Sequence, residues 1–259
     1  MNPFMHHSAK LLAVGGIVTS AVLGAIHPAW ALTQEEVIEQ LQRIPVFTIV
    51  DSNGVSLTVE FQEEESEEAV SVAPIFINRA DAESFLTRIQ DTESELPEDI
   101  RVALSPLGPV YAASVDEENP ENQLALQYVP SPDEQQSAVE VLQGRLEERG
   151  EDPSVISRFL GAPVFASCND EGNCLSPFFF SYGDYQEFID NLGEEGEQIP
   201  EEFQPGVVTL QSLIESIESA ESADRLWIIP SPETRQEIEG LQGVSEDAAE
   251  EEALEDPAQ

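Results

Sequence analysis

The chain has 259 residues and a formal net charge of −42, since 52 aspartates and glutamates face only 10 lysines and arginines. A negative field of this size repels nucleic acid and anionic lipid, so neither is an expected partner. All three histidines and the one lysine lie within the first 31 residues, which excludes His- or Lys-based catalysis and imidazole metal sites from the remaining chain.

Residues 1–31 are predicted to be a secretory signal peptide. A polar start that contains Lys10 precedes the apolar run LLAVGGIVTSAVLGAI, and Ala29-Trp30-Ala31 has the small-x-small pattern of a cleavage site. The run is shorter than the roughly 20 residues that cross a bilayer, so an integral membrane span is not expected. We therefore expect an exported protein whose mature chain begins at Leu32.

Residues 32–43 are predicted to form an N-terminal amphipathic helix. Thr33 and Glu36 have the spacing of a capping box. The apolar stripe of the helix consists of Val37, Ile38 and Leu41. Most stripes of this kind face a core, so we expect the helix to cover a sheet.

Residues 44–149 and 150–243 are predicted to be two copies of one unit, because four short segments recur in the same order. The paired segments are Pro45–Phe47 with Pro163–Phe165, Pro74–Ile77 with Pro177–Phe180, Val102–Leu107 with Val208–Leu213, and Val129–Pro132 with Ile229–Pro232. The first copy also contains the segment EFQEEESEEAVSV, for which we expect an acidic, solvated loop over residues 60–70.

Each copy is predicted to have the element order β-β-β-α-β-β-α. The PVF segment enters an Asx-Gly turn, the next long strand is apolar on both faces, and an amphipathic helix follows it. Two further strands come next, and the second ends at Ser-Pro, where the proline begins a final helix. A unit of roughly 100 residues leaves a sheet face uncovered, so we expect an α+β protein whose two pseudo-symmetric repeats pack into one body.

The strong acidity of the chain continues to its end. Residues 244–259 are expected to be a disordered acidic tail, since they offer little apolar surface to bury. The acidity as a whole has two interpretations. It is an adaptation to a salty compartment, or it keeps a protein with exposed apolar surface in solution.

The two cysteines, Cys168 and Cys174, flank the turn segment NDEGN, which suits a three-residue hairpin loop with Gly172 at positive φ. In that register the cysteines face each other, and an exported chain meets an oxidising compartment. A disulfide is therefore the favoured prediction and free thiols are the alternative. Without a histidine or a C-x-x-C motif, neither a metal nor a redox site is expected. The equivalent positions of the first repeat are Val50 and Ser56, so the bridge is expected to be optional for the fold.

The duplicated PVF strands, the P-[IF]-F-[IF] strands, the V-x-L-x-x-L segments and the x-Pro-Ser-Pro steps together resemble the family of the twenty-two-kilodalton subunit of the chloroplast inner-envelope import translocon (Tic). The resemblance covers roughly residues 36–242, and the signal peptide suits cyanobacterial members. It implies a non-enzymatic, chaperone-like protein of the periplasm, with the thylakoid lumen as a second compartment, that assists protein translocation and outer-membrane biogenesis. It also implies a two-winged body with an apolar pocket on each side for extended precursor proteins.

The candidate client groove consists of large aromatic residues that are repeated or nearly repeated: Phe47, Phe76, Tyr111, Phe165, Phe179 and Trp227. An unfolded outer-membrane strand alternates apolar and polar residues, so such a groove could bury its apolar face. Plain core packing is the alternative for each residue, because aromatic residues on strands are core in most folds.

Two other functions remain open. One is an adaptor with a fixed partner, such as an outer-membrane β-barrel insertase. The other is a carboxylate-only hydrolase, which needs two buried acidic residues in a deep pocket, whereas a chaperone needs an apolar groove. No catalytic residue, cofactor or metal ligand is predicted, and the calcium-loop spacing D-x-[DN]-x-[DN]-G is absent from the sequence.

Overall fold

A computed structural model describes residues 32–62, 69–92, 99–115, 124–219 and 226–241. The signal peptide predicted over 1–31 and the acidic tail predicted over 244–259 lie outside these residues.

The first repeat follows an N-terminal helix, α1, at Gln34–Leu41. Its elements are β1 at Pro45–Val50, β2 at Val59–Gln62, β3 at Ala69–Phe76, α2 at Arg79–Thr92, β4 at Arg101–Pro106, α3 at Leu107–Ser114, β5 at Ala125–Val129 and α4 at Pro132–Glu148. After a short 3-10 turn at Pro153–Val155, the second repeat has β6 at Pro163–Cys168, β7 at Cys174–Phe179, α5 at Tyr182–Glu195, β8 at Gln204–Thr209, α6 at Leu210–Glu218, β9 at Ile228–Ile229 and α7 at 232–241.

The two repeats form two sheets with the same strand order. The first sheet runs β4-β1-β3-β5, and β2 pairs with the beginning of β3. The second runs β8-β6-β7-β9. In each sheet the last pair is parallel and the others are antiparallel. The α+β fold class is confirmed, and the matching strand orders agree with the predicted duplication.

Among the described residues, the second repeat lacks one of the three strands predicted before its first helix. Both repeats also differ from the predicted order at the segment after β4 and β8. This segment is a helix in both repeats, so the order is β-β-β-α-β-α-β-α in the first and β-β-α-β-α-β-α in the second. In the second repeat, Thr209 caps α6 by accepting a hydrogen bond from the Ser212 amide at 3.0 Å. The residues of α6 buried beneath this cap lie on one stripe: Leu210, Leu213, Ile214 and Ile217.

The segment EFQEEESEEAVSV, which was predicted as an addition to the first repeat, is strand at both of its ends. Residues 59–62 pair with residues 69–72 in antiparallel register, from Val59 opposite Val72 to Gln62 opposite Ala69. The sequence VEFQ alternates apolar and polar residues, which suits such a hairpin. The acidic loop predicted over 60–70 is therefore too wide, since positions 60–62 and 69–70 are strand. Residues 63–68 lie outside the part that the structure describes.

The two sheets bury one shared core between them. Helix α1 begins with the predicted capping box, in which the Thr33 side chain and the Glu36 carboxylate each bond the other residue's amide. Its Val37 and Leu41 are buried in this core. Helices α3 and α6 contribute to the same core. The sheets supply residues from their inner faces: Val46, Ile75, Ile77, Val164, Ala166, Phe178 and Phe180.

The last helix of each repeat lies on the other repeat. Helix α4 packs on β6, β8 and α5, where Ala138 and Val141 are buried in the outer core of the second sheet. Helix α7 contacts the first repeat in return. There the Thr234 hydroxyl donates to the Ile77 carbonyl at 3.4 Å, and Glu237 pairs with Arg79 at the start of α2. This exchange ties the repeats together on both sides of the shared core.

Helices α1 and α3 cross closely at Gly108, and a substitution there tests this contact. A Cβ atom at this position would lie 2.6 Å from the Ile38 carbonyl oxygen and 3.0 Å from the Gln42 amide nitrogen. We expect Gly108→Ala to push α1 off the shared core and to lower the free energy of unfolding by about 1–3 kcal/mol in urea titrations.

The matched control is Gly144→Ala in α4, where a Cβ would have no neighbour within 4 Å. That change is expected to raise stability by about 0.5–1 kcal/mol, since alanine is the better helix former. Equal effects of the two substitutions would contradict the close crossing.

Candidate functional site

Four of the six predicted groove residues are core residues in the structure. Phe47, Phe76, Phe165 and Phe179 are 0, 1, 0 and 4% exposed. Phe47 lies opposite Phe76, and Phe165 lies opposite Phe179, each pair on the outer face of its own sheet. Helix α2 covers the first pair, with Phe85 in ring contact with Phe76 at 5.3 Å. These side chains therefore pack beneath helices and do not line an open groove.

Tyr111 is also buried, at 8% exposed, but in the shared core. Its hydroxyl donates a hydrogen bond to the Glu218 carboxylate at the end of α6. Burial, together with this carboxylate, raises the pKa of Tyr111 above its usual value. The hydroxyl thus stays protonated and links α3 to α6, which is a structural role.

Trp227 differs from the other five because 65% of its surface is exposed. It stands immediately before β9, the edge strand of the second sheet, and its carbonyl accepts a hydrogen bond from the Phe178 amide at 2.8 Å. The backbone at this position is therefore fixed to the sheet, while the indole faces solvent. The equivalent position of the first repeat is Gln127, so the fold itself does not require an aromatic side chain here.

The Trp227 side chain forms one wall of a cleft of about 720 Å³, which we call the Trp227 cleft. The cleft lies where the end of α1 meets α5, β7 and β9. Its lining consists of Gln40, Arg43, Ile44, Ser176, Pro177, Phe188, Leu226, Trp227 and Ile228. Six of these nine residues are apolar, and Arg43 carries the single charge. An apolar concave surface with a few polar groups is the usual character of a ligand-binding cleft.

The sequence predicts Trp227 as a repeated aromatic groove residue, which its counterpart Gln127 contradicts. It predicts none of the other residues that line the cleft. The lining comes from four separate segments of the chain, and no spacing in the sequence connects them. One signal was available, since the comparison of the repeats places a tryptophan where the other copy has a glutamine. A large apolar residue that the fold does not require indicates a surface with another purpose.

A second cleft, of about 510 Å³, lies where the first turns of α2, α4 and α7 meet the cap of α5 at Ser181. Most of its charged side chains are acidic: Asp81, Glu83, Asp133, Glu134, Glu233 and Glu237, together with Arg79. Burial raises the pKa of Asp81, and Asp133 and Glu233 add to this shift. Burial also raises the pKa of Glu134, although the Tyr182 amide donates to its carboxylate at 3.0 Å.

This acidic cleft offers little to a carboxylate-only hydrolase. Asp81 and Glu134 are both partly exposed, and no aspartate or glutamate of the described ranges is fully buried. Asp133 and Glu233 lie in the first turns of α4 and α7, near the positive helix ends that favour carboxylates. Within the same described part of the chain, no group of three His, Cys, Asp or Glu side chains could hold a metal ion.

The predicted disulfide between Cys168 and Cys174 is present, and the two residues lie opposite each other in the β6-β7 hairpin. Val50 and Ser56 form the corresponding bridge between backbone segments in the first repeat, without sulfur. The tip of the second hairpin docks on α4, since Arg145 and Arg149 both bind the Asp170 carboxylate. These arginines lower the pKa of Asp170. The hairpin thus takes part in holding the exchanged helix α4.

These features define a two-repeat α+β protein whose last helices are exchanged between the repeats. The chain belongs to the Tic22-like family, whose model matches residues 9–240. This confirms the resemblance indicated by the repeated motifs. A search of curated protein sequences finds no match.

Two solved structures are similar to this chain. Anabaena Tic22, described as a protein of protein transport, has a TM-score of 0.62 and 17% identity, over 81% of this chain and 97% of the Anabaena chain. Tic22 from Plasmodium falciparum has a TM-score of 0.55 and 20% identity, over 80% of this chain and 97% of the Plasmodium chain. At these identities the similarity shows the fold. None of the helices within the described ranges is long and apolar enough to cross a membrane.

The pKa shift of Asp81 predicts a pH-dependent effect of Asp81→Asn. A raised pKa in the folded state means that ionisation of Asp81 costs folding free energy once the pH rises through that pKa. We therefore expect Asp81→Asn to gain stability relative to the unmodified protein at pH 7, and to lose this advantage near pH 4. Urea unfolding at the two pH values measures the difference.

Asp184→Asn is the matched control, because Asp184 holds the equivalent position in α5. Its carboxylate accepts two hydrogen bonds from Arg235, at 2.6 and 3.2 Å. Loss of this pair is expected to destabilise the protein at pH 7 by about 1–2 kcal/mol. At pH 7 the two substitutions are expected to change the free energy of unfolding in opposite directions. A change in the same direction would contradict the unfavourable ionisation of Asp81.

Reduction of the disulfide is expected to lower the free energy of unfolding by about 2 kcal/mol without loss of the fold, because the bridge closes a short loop. Thermal midpoints with and without reductant measure this effect. The variant Cys168→Ala/Cys174→Ala should be insensitive to reductant. A large loss of helical signal on reduction would show that the bridge is essential.

Proposed function

We propose that this protein is an exported, chaperone-like escort that holds extended segments of transported proteins in the Trp227 cleft. The observation that carries the proposal is a large indole, 65% exposed, whose backbone is fixed at a sheet edge and whose cleft has a mostly apolar lining. Tryptophan is enriched among the residues that dominate binding energy at protein interfaces. Membership of the Tic22-like family and the protein-transport description of Anabaena Tic22 support the same function.

An extended client segment suits the position of the cleft at the edge of a sheet. Such a segment presents alternate side chains to one side, so its apolar residues can rest on Trp227, Pro177 and Leu226 while its polar residues face water. We infer that outer-membrane strands, which alternate in this way, are suitable clients in the periplasm.

The acidic surface supports the escort role in a second way. The net charge of −42 keeps the protein and a bound apolar segment in solution through mutual repulsion of complexes. The same field repels acidic clients and attracts basic ones, and both effects weaken as salt increases. Client affinity is therefore expected to depend on ionic strength.

The functional test is suppression of aggregation. Light scattering of a denatured outer-membrane β-barrel protein, diluted with and without a stoichiometric amount of this protein, is expected to show suppression. Trp227→Ala should weaken client affinity about tenfold, since an interface tryptophan typically contributes more than 1.4 kcal/mol.

Leu160→Ala is the control for general surface hydrophobicity, because Leu160 is also 65% exposed but does not line the cleft. It is expected to suppress aggregation as well as the unmodified protein does. The proposal fails if the unmodified protein suppresses no aggregation at any salt concentration.

An adaptor with one fixed partner is the second candidate function. It is favoured by the difference between the repeats at this edge, where the first repeat has Gln127 in place of a tryptophan. Crosslinking in cells through a photoreactive residue at position 227 distinguishes the adaptor from the escort. One dominant partner, such as an insertase subunit, would indicate an adaptor, and many partners would indicate an escort.

A further inference from the structure

Among the residues that the structure describes, Arg43 has no carboxylate partner, although the protein is strongly acidic. In the described part of the chain, Arg79, Arg145, Arg149 and Arg235 each pair with an aspartate or glutamate. Arg43 makes no such pair there, and its side chain lines the Trp227 cleft. Arg101 and Arg158 also pair with no carboxylate in those ranges, but they line neither cleft described above.

The backbone that carries Arg43 is held in place on both sides. The Arg43 amide donates to the Gln40 carbonyl at 3.4 Å, and the Ile44 amide donates to the Leu41 carbonyl at 3.1 Å. Ile44 is buried, and its carbonyl accepts from the Leu107 amide at 2.8 Å. Arg43 itself is exposed and lines the cleft, so its side chain extends from a backbone that is held in place. A planar guanidinium donates two parallel hydrogen bonds to a carboxylate, which makes it selective for that group.

The charges around the cleft limit which anion can bind. Arg43 supplies the single positive charge of the lining, while the molecule as a whole is strongly negative. A ligand with several carboxylates would gain one ion pair and be repelled elsewhere. A ligand with one carboxylate and a large apolar group gains both the ion pair and the apolar contact with Trp227. Gln40 adds an amide that can bond a neighbouring peptide group.

We propose that the Trp227 cleft binds the carboxyl-terminal residue of an extended polypeptide, with the terminal carboxylate on Arg43 and a large apolar side chain against Trp227. A terminal residue provides both groups from a single position. An internal aspartate or glutamate would require a second residue to provide the apolar side chain, so more rotatable bonds would lose their freedom on binding. This inference rests on the proposed function, since it names the part of the client that the cleft recognises.

The test uses the full chain and a labelled ten-residue peptide that alternates apolar and polar residues, contains no internal acid and ends in phenylalanine. Three forms are compared by fluorescence anisotropy: the free carboxylate, the carboxyl-terminal amide, and the amide with one internal glutamate. The free carboxylate is expected to bind about tenfold more tightly than either amide, as befits a charge-assisted hydrogen bond.

Arg43→Gln should abolish this preference and bind all three forms as the unmodified protein binds the amide. Arg101→Gln is the control, because Arg101 is an exposed arginine on β4 that does not line the cleft. It should retain the preference. Thermal midpoints confirm that both variants are folded, and Trp227→Ala should weaken the binding of all three forms.

The outcomes distinguish this inference from the proposed function. Equal binding of acid and amide, with loss of both in Trp227→Ala, would overturn the inference and leave the escort function standing. If the glutamate-containing amide binds as tightly as the free acid, the cleft recognises a side-chain carboxylate and not the chain end, which would overturn the inference. A preference that survives Arg43→Gln would remove Arg43 from the site. No binding of any form would contradict the cleft as a client site, and the inference with it.

Discussion

The contact between the inner faces of the two sheets is the interaction on which the rest of the structure depends. The central strands β1, β3, β6 and β7 carry apolar residues at successive positions, so both faces of each sheet require cover. The inner faces cover each other together with α1, α3 and α6. A fully buried large side chain contributes roughly 1.5–3 kcal/mol, and a typical net stability is about 5–15 kcal/mol. Loss of this contact would therefore leave neither repeat stable.

The exchange of α4 and α7 makes the outer faces of the sheets depend on contact between the repeats as well. The outer core of the second sheet contains Ala138 and Val141 from α4, which belongs to the first repeat in sequence. A separated second repeat would lose this cover as well as the inner contact. With both sheet faces occupied, the sheet edges remain for the proposed extended clients, and the cleft at β9 lies at one of these edges.

Much of the fold could be predicted because it is encoded in local patterns that occur twice. The repeated PVF and P-[IF]-F-[IF] strands, the helices that follow them and the Ser-Pro helix starts all have short-range signals. The segments of α3 and α6 were expected to be a strand leading into a turn or short helix, because each helix is short and begins directly at the end of a strand. The exchange of α4 and α7 has no local signal, since an amphipathic stripe shows which face is apolar but not what covers it.

The candidate site was less predictable for a related reason. Aromatic residues on strands have the same sequence signature whether they face a core or a client. Phe47 and Phe165 therefore could not be separated from Trp227 by composition. The comparison of the two repeats does separate them, because Phe47 and Phe165 are equivalent to each other, whereas Trp227 is equivalent to Gln127. Duplicated positions indicate what the fold needs, and unmatched ones indicate what a single surface has acquired.

The arginines also fall into two groups, those that serve the fold and one that lines the cleft. In the part of the chain that the structure describes, four arginines that pair with carboxylates act at the exchanged helices: Arg145 and Arg149 on α4, Arg235 on α7, and Arg79 against Glu237 of α7. In a chain with 52 acidic residues, positive charge is scarce, and most of these ion pairs hold the two repeats together. Arg43 stands outside that group, on a fixed backbone beside an exposed indole. No carboxylate of the described ranges pairs with Arg43, although a guanidinium in so negative a field favours a carboxylate partner. Its position at the cleft is therefore consistent with the proposed ligand carboxylate.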